Sequence, residues 1–457
     1  MKHMYSLIAV LIFSSITIAQ TAQEAVELMD NEQGFGIRAA GMGNAYTAVA
    51  DDYSAVYWNP AGLAQLDYGH MSGSLYHNTF DNDASYFGSR FADSRTFTKL
   101  QSLGFAYPFP VARGSFVVAF GYQKVNNLDS FSEVGGFINR PNNLNFDYGD
   151  GEVIDFNNNV DQNYSIYRDG GIDHWSFAAA MDLSPNFSAG LTLNFYGGSS
   201  TYMLDFLQTD VNDVYRLDTQ LGYDFESYAY NQRILSDFSG FEAKLGGLFH
   251  LSPNLRLGTV ITFPVSMTIN EEWSEDDVIA YDDPSVPLDE YDYGSKEFDY
   301  ELDIPIKFSA GLSYSTERLT LTSSFDYRDW SQLKFDVPSN RNPGDYDDLL
   351  SENATIRDNF RGVLSYALGG EFKVFKTGLM IRAGFKNMPT AQKNLSSDYD
   401  KQFYSFGLGY SVDKRTTIDF SYTQGEWNRD FNYVFSSDVA SETIQSQTVL
   451  FGLNYRF

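Results

Sequence analysis

Covalent catalysis needs a nucleophile beside a base, and this chain offers little of that material. Beyond residue 20 the histidines are His70, His77, His174 and His250, and only His174 has a serine, Ser176, close by on the same face of an extended run. No G-x-S-x-G elbow and no H-E-x-x-H pair accompanies them, so the pattern reads as chance neighbours and the protein as a non-enzyme. The absence of cysteine removes disulfides, thiolate metal sites and a Cys nucleophile. Four scattered histidines offer no persuasive axial pair for haem. Acidic residues crowd the stretch from Glu271 to Asp303, with Lys296 as the single cation between Glu271 and Asp299. Oxygen-rich clusters can hold Ca²⁺ or bridge to anionic lipopolysaccharide, but no EF-hand spacing is present and solvated loops explain the charge as well. Gly34, Gly36, Gly41 and Gly43 imitate a phosphate cradle without the βαβ context such a loop needs. No cofactor and no metal are therefore expected.

What remains is a question of the elements that carry these residues. The chain has 457 residues with 31 Lys plus Arg against 60 Asp plus Glu, a formal charge of −29 that excludes a nucleic-acid partner. It is 16% aromatic and has 37 glycines, with a mean hydropathy of −0.31. Past residue 20 no apolar run approaches the ~20 residues of a membrane-spanning helix. Residues 1–19 (MKHMYSLIAVLIFSSITIA) read as a secretory signal peptide, with a basic start, an apolar middle and small residues placed for cleavage before Gln20 or near Ala22.

From residue 69 the chain repeats runs of about ten alternating residues divided by turns. Ser184-Pro185-Asn186 and Ser252-Pro253-Asn254 each join two such runs. Fourteen strands are predicted, at 69–77, 100–108, 114–124, 172–183, 186–197, 238–250, 254–271, 298–314, 318–329, 359–373, 377–386, 402–412, 415–426 and 443–457. Short turns on one side alternate with long polar loops on the other. With an even strand count, that asymmetry predicts an all-β fold: a 14-stranded antiparallel transmembrane β-barrel in the outer membrane of a Gram-negative bacterium. Trp175, Trp273, Trp330 and Trp427 all fall at the loop-side rim, which predicts an interfacial aromatic belt. Charges such as Glu242, Lys244, Arg328, Glu371, Arg382 and Asp419 fall on the face opposite the apolar set and should line the lumen. The alternating terminal strand ending on Phe457 resembles a client signal for the barrel-assembly machinery. A barrel of this width cannot be filled by wall side chains alone, so something must plug it. Residues 20–68 are the candidate hatch and 69–457 the barrel, with short helices expected around 39–50 and 61–66, broken at Asn59-Pro60.

The hatch carries a family resemblance. The string from Ala39-Ala40-Gly41-Met42-Gly43-Asn44 through Asp51-Asp52 to Trp58-Asn59-Pro60-Ala61-Gly62 resembles the N-terminal hatch of the outer-membrane long-chain fatty acid transporter family (FadL type). The resemblance implies that Asn59, Pro60, Ala61 and Gly62, with Gly41 and Gly43, form the hatch motif. It also implies passive uptake of long-chain fatty acids or other hydrophobic compounds, with sideways release into the membrane by a monomer. In that family the lateral opening goes with a kink in the third strand, where this chain offers Gly121; Pro264 and Pro305, which interrupt strands seven and eight, are a second candidate gate or merely bulges. Arg38, the only Lys or Arg between Lys2 and Arg90, either holds a carboxylate or anchors the hatch to a lumen acid such as Glu301 or Asp303. The alternative function is a non-transporting barrel acting as a secretion accessory or binding scaffold, with haem uptake third. Phe131, Phe137, Tyr164, Tyr167, Tyr202 and Phe206 suit either a greasy capture site or a protein interface.

Overall fold

The computed structural model describes residues 21–30, 34–142, 144, 146–147, 153–154, 156, 158–215, 224–436 and 438–457; residues 1–19, read above as a signal peptide, lie outside them. Fourteen wall strands follow in chain order: β1 His70–Tyr86, β2 Ser89–Phe109, β3 Phe116–Asn127, β4 Val160–Ser184, β5 Phe187–Thr209, β6 Phe225–Ser252, β7 Leu255–Thr262 with Val265–Tyr281, β8 Asp289–Ile304 with Lys307–Ser315, β9 Leu319–Asp329, β10 Gly362–Lys373, β11 Leu379–Met388, β12 Lys401–Ser411, β13 Thr416–Asn432 and β14 Val439–Arg456. Each pairs antiparallel with the next, and β14 closes on β1 from His70↔Arg456 to Ser85↔Ser441. Closure removes the free edges that lipid cannot hydrogen-bond. At the seam the Phe457 amide donates to the Gly69 carbonyl at 3.0 Å, and its ring stacks on Phe105 at 5.6 Å.

The alternating sequence sorts as the pleat requires. Leu103, Phe105, Tyr107, Phe177, Phe241 and Leu245 are exposed toward lipid, while Glu242, Lys244, Glu371, Arg382 and Asp419 are at most 2% exposed inside the lumen. The strands run well beyond the predicted spans, because β1–β2 and β4–β8 continue upward as tall hairpins. The tryptophans correct the belt expectation: Trp175 projects outward beside Phe120 and Tyr122, but Trp273 and Trp330 are buried and Trp427 lines an inner cavity. The acidic stretch after Glu271 is a strand hairpin in which carboxylates accept hydrogen bonds from tyrosine and tryptophan. Glu271 takes Trp273 Nε1 at 2.9 Å and Tyr300 Oη at 3.0 Å, and Asp277 takes Tyr293 Oη at 2.8 Å.

Inside the barrel lie α1 (Ala22–Asp30), α2 (Ile37–Gly41), α3 (Ala55–Trp58) and a 3₁₀ turn at Pro60–Gln65. The helix expected over 39–50 stops at Gly41, since Gly43 and Asn44 take φ of 64° and 62° and turn the chain. A further helix, α4 (Asp347–Asn359), lies in the β9–β10 loop, where sequence periodicity showed only a loop, and packs on α1.

Candidate functional site

The hatch sits against the wall backbone to backbone. At several of its closest approaches the wall strand presents glycine to the lumen. An added Cβ at Gly190 would lie 2.3 Å from the Pro60 carbonyl carbon, at Gly246 2.2 Å from Asn59 Oδ1, at Gly258 2.2 Å from Thr47 O, and at Gly384 2.1 Å from Gly43 N. Gly41 faces Gly407 in the same way, and Gly62 packs its Cα against the Ala50 carbonyl within the hatch. Sequence reasoning missed this ring of wall glycines. Its signal is glycine at lumen-facing positions on strands scattered round the barrel, which means nothing until register is known.

Asn59 is fully buried and joins hatch to wall. Its Nδ2 donates to Thr47 O at 2.8 Å and to Gly247 O of β6 at 3.1 Å, and its Oδ1 accepts from Ala61 N at 3.1 Å. Pro60 then starts the 3₁₀ turn, where it needs no donor. Asn59→Asp keeps the shape but aims an acceptor at two carbonyls. It is expected to cost about 1–3 kcal/mol, more than Asn59→Ala, by urea unfolding in detergent or lipid.

Arg38 reaches Glu371 of β10, not Glu301 or Asp303. Its Nε and Nη2 donate to the two carboxylate oxygens at 2.8 and 3.0 Å, and Nη1 bonds Asp51 and, at 3.1 Å, Tyr46 Oη. Glu371 also accepts from Arg382 Nε at 2.8 Å, and Arg382 Nη1 continues to Asp419 at 2.6 Å. The guanidinium is thus committed to carboxylates of the protein itself. Glu301, by contrast, accepts from Ser266 Oγ at 3.2 Å.

The wall has a notch. β2 pairs with β1 along Ser89–Ala106, but with β3 only from Phe109↔Phe116 to Ser102↔Gln123. β3 ends at Asn127; after Leu128-Asp129 the chain resumes as Ser130–Ile138, still paired with β4. This outer part turns inward across β1 and β14: Ser132 Oγ donates to Glu442 Oε1 at 2.7 Å and Asn82 Nδ2 donates to the same oxygen at 3.1 Å. Above Ser102, the β3-facing edge of β2 pairs with no strand among the described residues. The notch opens one residue above the Tyr122↔Trp175 pair, whose outward aromatic rings are of the kind that sit at a membrane interface. Gly121 lies below it, paired with Gly104 and seating Tyr53. Pro264 and Pro305 face each other across β7–β8 as opposed breaks, with the ladder intact on both sides from Thr262↔Lys307 and from Val265↔Ile304.

A cavity of about 180 Å³ abuts the notch. Val26 and Leu28 of α1, Tyr76 and Phe80 of β1, Leu128, Phe360, Met388 and Trp427 supply its apolar wall. Its cations are matched by carboxylates: Lys124 by Asp173 at 2.7 Å, Arg168 by Glu24 at 3.2 Å, Lys401 by Asp30 at 2.8 Å, and Arg429 by Glu442 at 2.8 Å through Nε. Over β4–β7 the described residues pack into an aromatic core. Tyr164, Phe206, Tyr228 and Tyr433 form a packed cap with Phe435, with Tyr164 4.7 Å from Phe206 and 4.8 Å from Tyr433 by ring centres. Tyr164, Tyr202 and Phe206 are therefore core residues of a cap; Phe131 is buried and Phe137 exposed.

The remaining sequence candidates do not join this site. Ser176 Oγ bonds the side-chain amides of Gln123 and Asn194, and the His174 ring packs on Tyr196 at 4.2 Å. His250 Nε2 meets Gln65 Oε1 at 3.2 Å. Asp213, Asp224 and Asp282 bring carboxylate oxygens within 4.8 Å of one another at the loop tips, where burial and the neighbouring Asp224 and Asp213 raise the Asp282 carboxyl above its usual range.

A closed fourteen-stranded antiparallel barrel with an N-terminal helical segment in its lumen is the architecture of an outer-membrane transport barrel of Gram-negative bacteria. The family model of outer membrane protein transport proteins (OMPP1/FadL/TodX) matches residues 17–457, and the chain belongs to that family of hydrophobic-compound transporters. Solved structures agree in fold. A Pseudomonas aeruginosa FadL homologue is 15% identical with a TM-score of 0.60, covering 92% of this chain and 98% of its own. The P. putida toluene transporter TodX is 13% identical with a TM-score of 0.59 (93% and 99% covered), and the Ralstonia pickettii toluene transporter TbuX is 14% identical with a TM-score of 0.52 (93% and 99%). No curated protein matches the sequence.

Proposed function

We propose that this protein takes up small apolar molecules, monoaromatic hydrocarbons first and long-chain fatty acids second, and releases them sideways through the β2–β3 notch. The observation that carries the proposal is the cavity lying against a break in the wall. Size favours the smaller cargo, since a cavity of about 150 Å³ already accommodates benzene. Charge points the same way: a fatty carboxylate has to displace Glu24, Asp30 or Glu442 from its cation, whereas a hydrocarbon displaces nothing charged. The hatch motif Asn59-Pro60-Ala61-Gly62 and the Arg38 anchor hold the part of the plug that follows α1 against the wall, so passage along the α1 side of the cavity does not require the lumen to open.

The test is uptake of labelled toluene and labelled oleate by cells lacking the protein, with the gene restored intact or as Asn59→Asp. Restored toluene uptake with a smaller gain for oleate is expected. Uptake of neither, with the protein present in the outer membrane, contradicts the reading and favours a scaffold whose aromatic β4–β7 cap is a docking face.

A further inference from the structure

The notch is crossed by a side chain. Lys99 lies on the stretch of β2 that is paired with β1 but not with β3, and its ammonium bonds Asp129, at the break in β3, and Asp169 of β4. The same ammonium lies 3.5 Å from the Gly170 carbonyl. Asp129 is held ready for it. Its side chain is fully buried, and Oδ1 accepts from the Gly170 amide at 2.9 Å. Tyr76 Oη of β1 bonds Asn127 at 2.9 Å, bringing the other neighbour of β2 to the same point. One cation thus ties three strands at the place where backbone pairing stops. Lys124 and Asp173 form a separate pair between β3 and β4, on one lip of the notch and not across it. Arg95, higher on β2, crosses by its guanidinium 4.2 Å over the Phe131 ring, a contact without a carboxylate.

We propose that Lys99, with Asp129 and Asp169, is the latch of the notch: a positioning group whose withdrawal lets β2 and the outer part of β3 separate and admits cargo to the lipid. This rests on the proposed lateral route and assigns its gating residue. Two features suit the task. A backbone ladder would have to break many hydrogen bonds together, whereas an ion-pair cluster opens by movement of one flexible stem. Lys99 and Asp169 are also partly exposed, at 24% and 45% of their side chains, so water can take over their charges when the latch opens and the open state carries no buried unpaired ammonium.

The chain has no cysteine, so a spin-label pair at Ser94→Cys on β2 and Glu133→Cys beyond the break, both exposed positions, reports the width of the notch without interference. Pulsed electron resonance in nanodiscs should give a narrow distance distribution in the otherwise native chain. Lys99→Met and Asp129→Asn should lengthen and broaden it, Lys99→Arg should restore it, and Lys124→Met should leave it unchanged. Initial toluene uptake should rise about fivefold in Lys99→Met, the shift that loss of one partly exposed ion-pair cluster produces in a two-state equilibrium. A Lys99→Met distribution superimposable on that of the native chain overturns the latch, and so does a widened notch with unchanged uptake in cells where the native protein transports toluene. Absence of transport by the native protein counts against the transport reading instead, and the distance measurement still decides whether Lys99 holds the notch.

Discussion

Glu371→Ala is expected to destabilise the barrel by about 3–5 kcal/mol, because it removes the anion shared by two cations, one of them fully enclosed. Arg382 is 2% exposed and Glu371 1%, and Arg38 crosses from the hatch to bond both carboxylate oxygens. Without Glu371, Arg382 keeps Asp419 and Arg38 keeps Asp51, so the loss belongs near the lower end of that range. The outward sign should be loosening of the hatch before the wall. Urea unfolding followed by tryptophan fluorescence gives the free energy, and protease access to the Asp51-Asp52 segment gives the order of events. Arg38→Met with Glu371→Leu, which removes one charge of each sign, should cost less than Glu371→Ala. A milder Glu371→Ala than this pair would contradict the anchoring role.

Gly384→Ala should have the second large effect, on permeability as well as stability. The new methyl would meet Gly43 N at 2.1 Å and Met42 C at 2.2 Å, both backbone atoms. β11 cannot yield, being laddered to Gly369 on one side and Ser405 on the other. The hatch must move instead, at about 1–3 kcal/mol or more for an overpacked contact. A barrel of this strand number with its plug displaced conducts water and ions. Planar-bilayer conductance should therefore be steady in Gly384→Ala and absent in the native protein. Gly370→Ala is the control: its methyl would lie 3.4 Å from the Leu321 side chain, ordinary contact.

The membrane-embedded part of this fold is legible in sequence because lipid enforces contrast. Phe241, Ala243 and Leu245 against Glu242 and Lys244 alternate sharply, since one face meets hydrocarbon and the other a polar lumen. Above the membrane that contrast disappears. Along Asp81-Asn82-Asp83-Ala84 polar residues stand on both faces, and β1 reads as a loop although it is strand to Tyr86. α4 hid for a related reason: Leu349 and Ile356 are its buried residues, too few to show a helical stripe. Arg38 stood out by its isolation, but its partner Glu371 lies 333 residues away, and Glu301 and Asp303 were equally plausible lumen acids. The break in β3 had no local cause to read. The inward course beyond it goes with Ser132 bonding Glu442 of β14, on the carboxylate oxygen that Asn82 of β1 also reaches, a tertiary contact that no local pattern announces. Pro264 and Pro305, the visible interruptions, are instead absorbed by opposing one another.

The most direct test of the lateral route is to bridge the notch. Leu100→Cys on β2 and Lys124→Cys on β3 stand on its two lips, and a disulfide-containing bis-maleimide can join them in a chain that has no other thiol. Labelled toluene uptake is measured before bridging, after it and after reduction of the linker. A fall to the level of cells without the protein, reversed by reduction, is the predicted result. Full bridging with uptake undiminished would place the exit elsewhere and contradict the account.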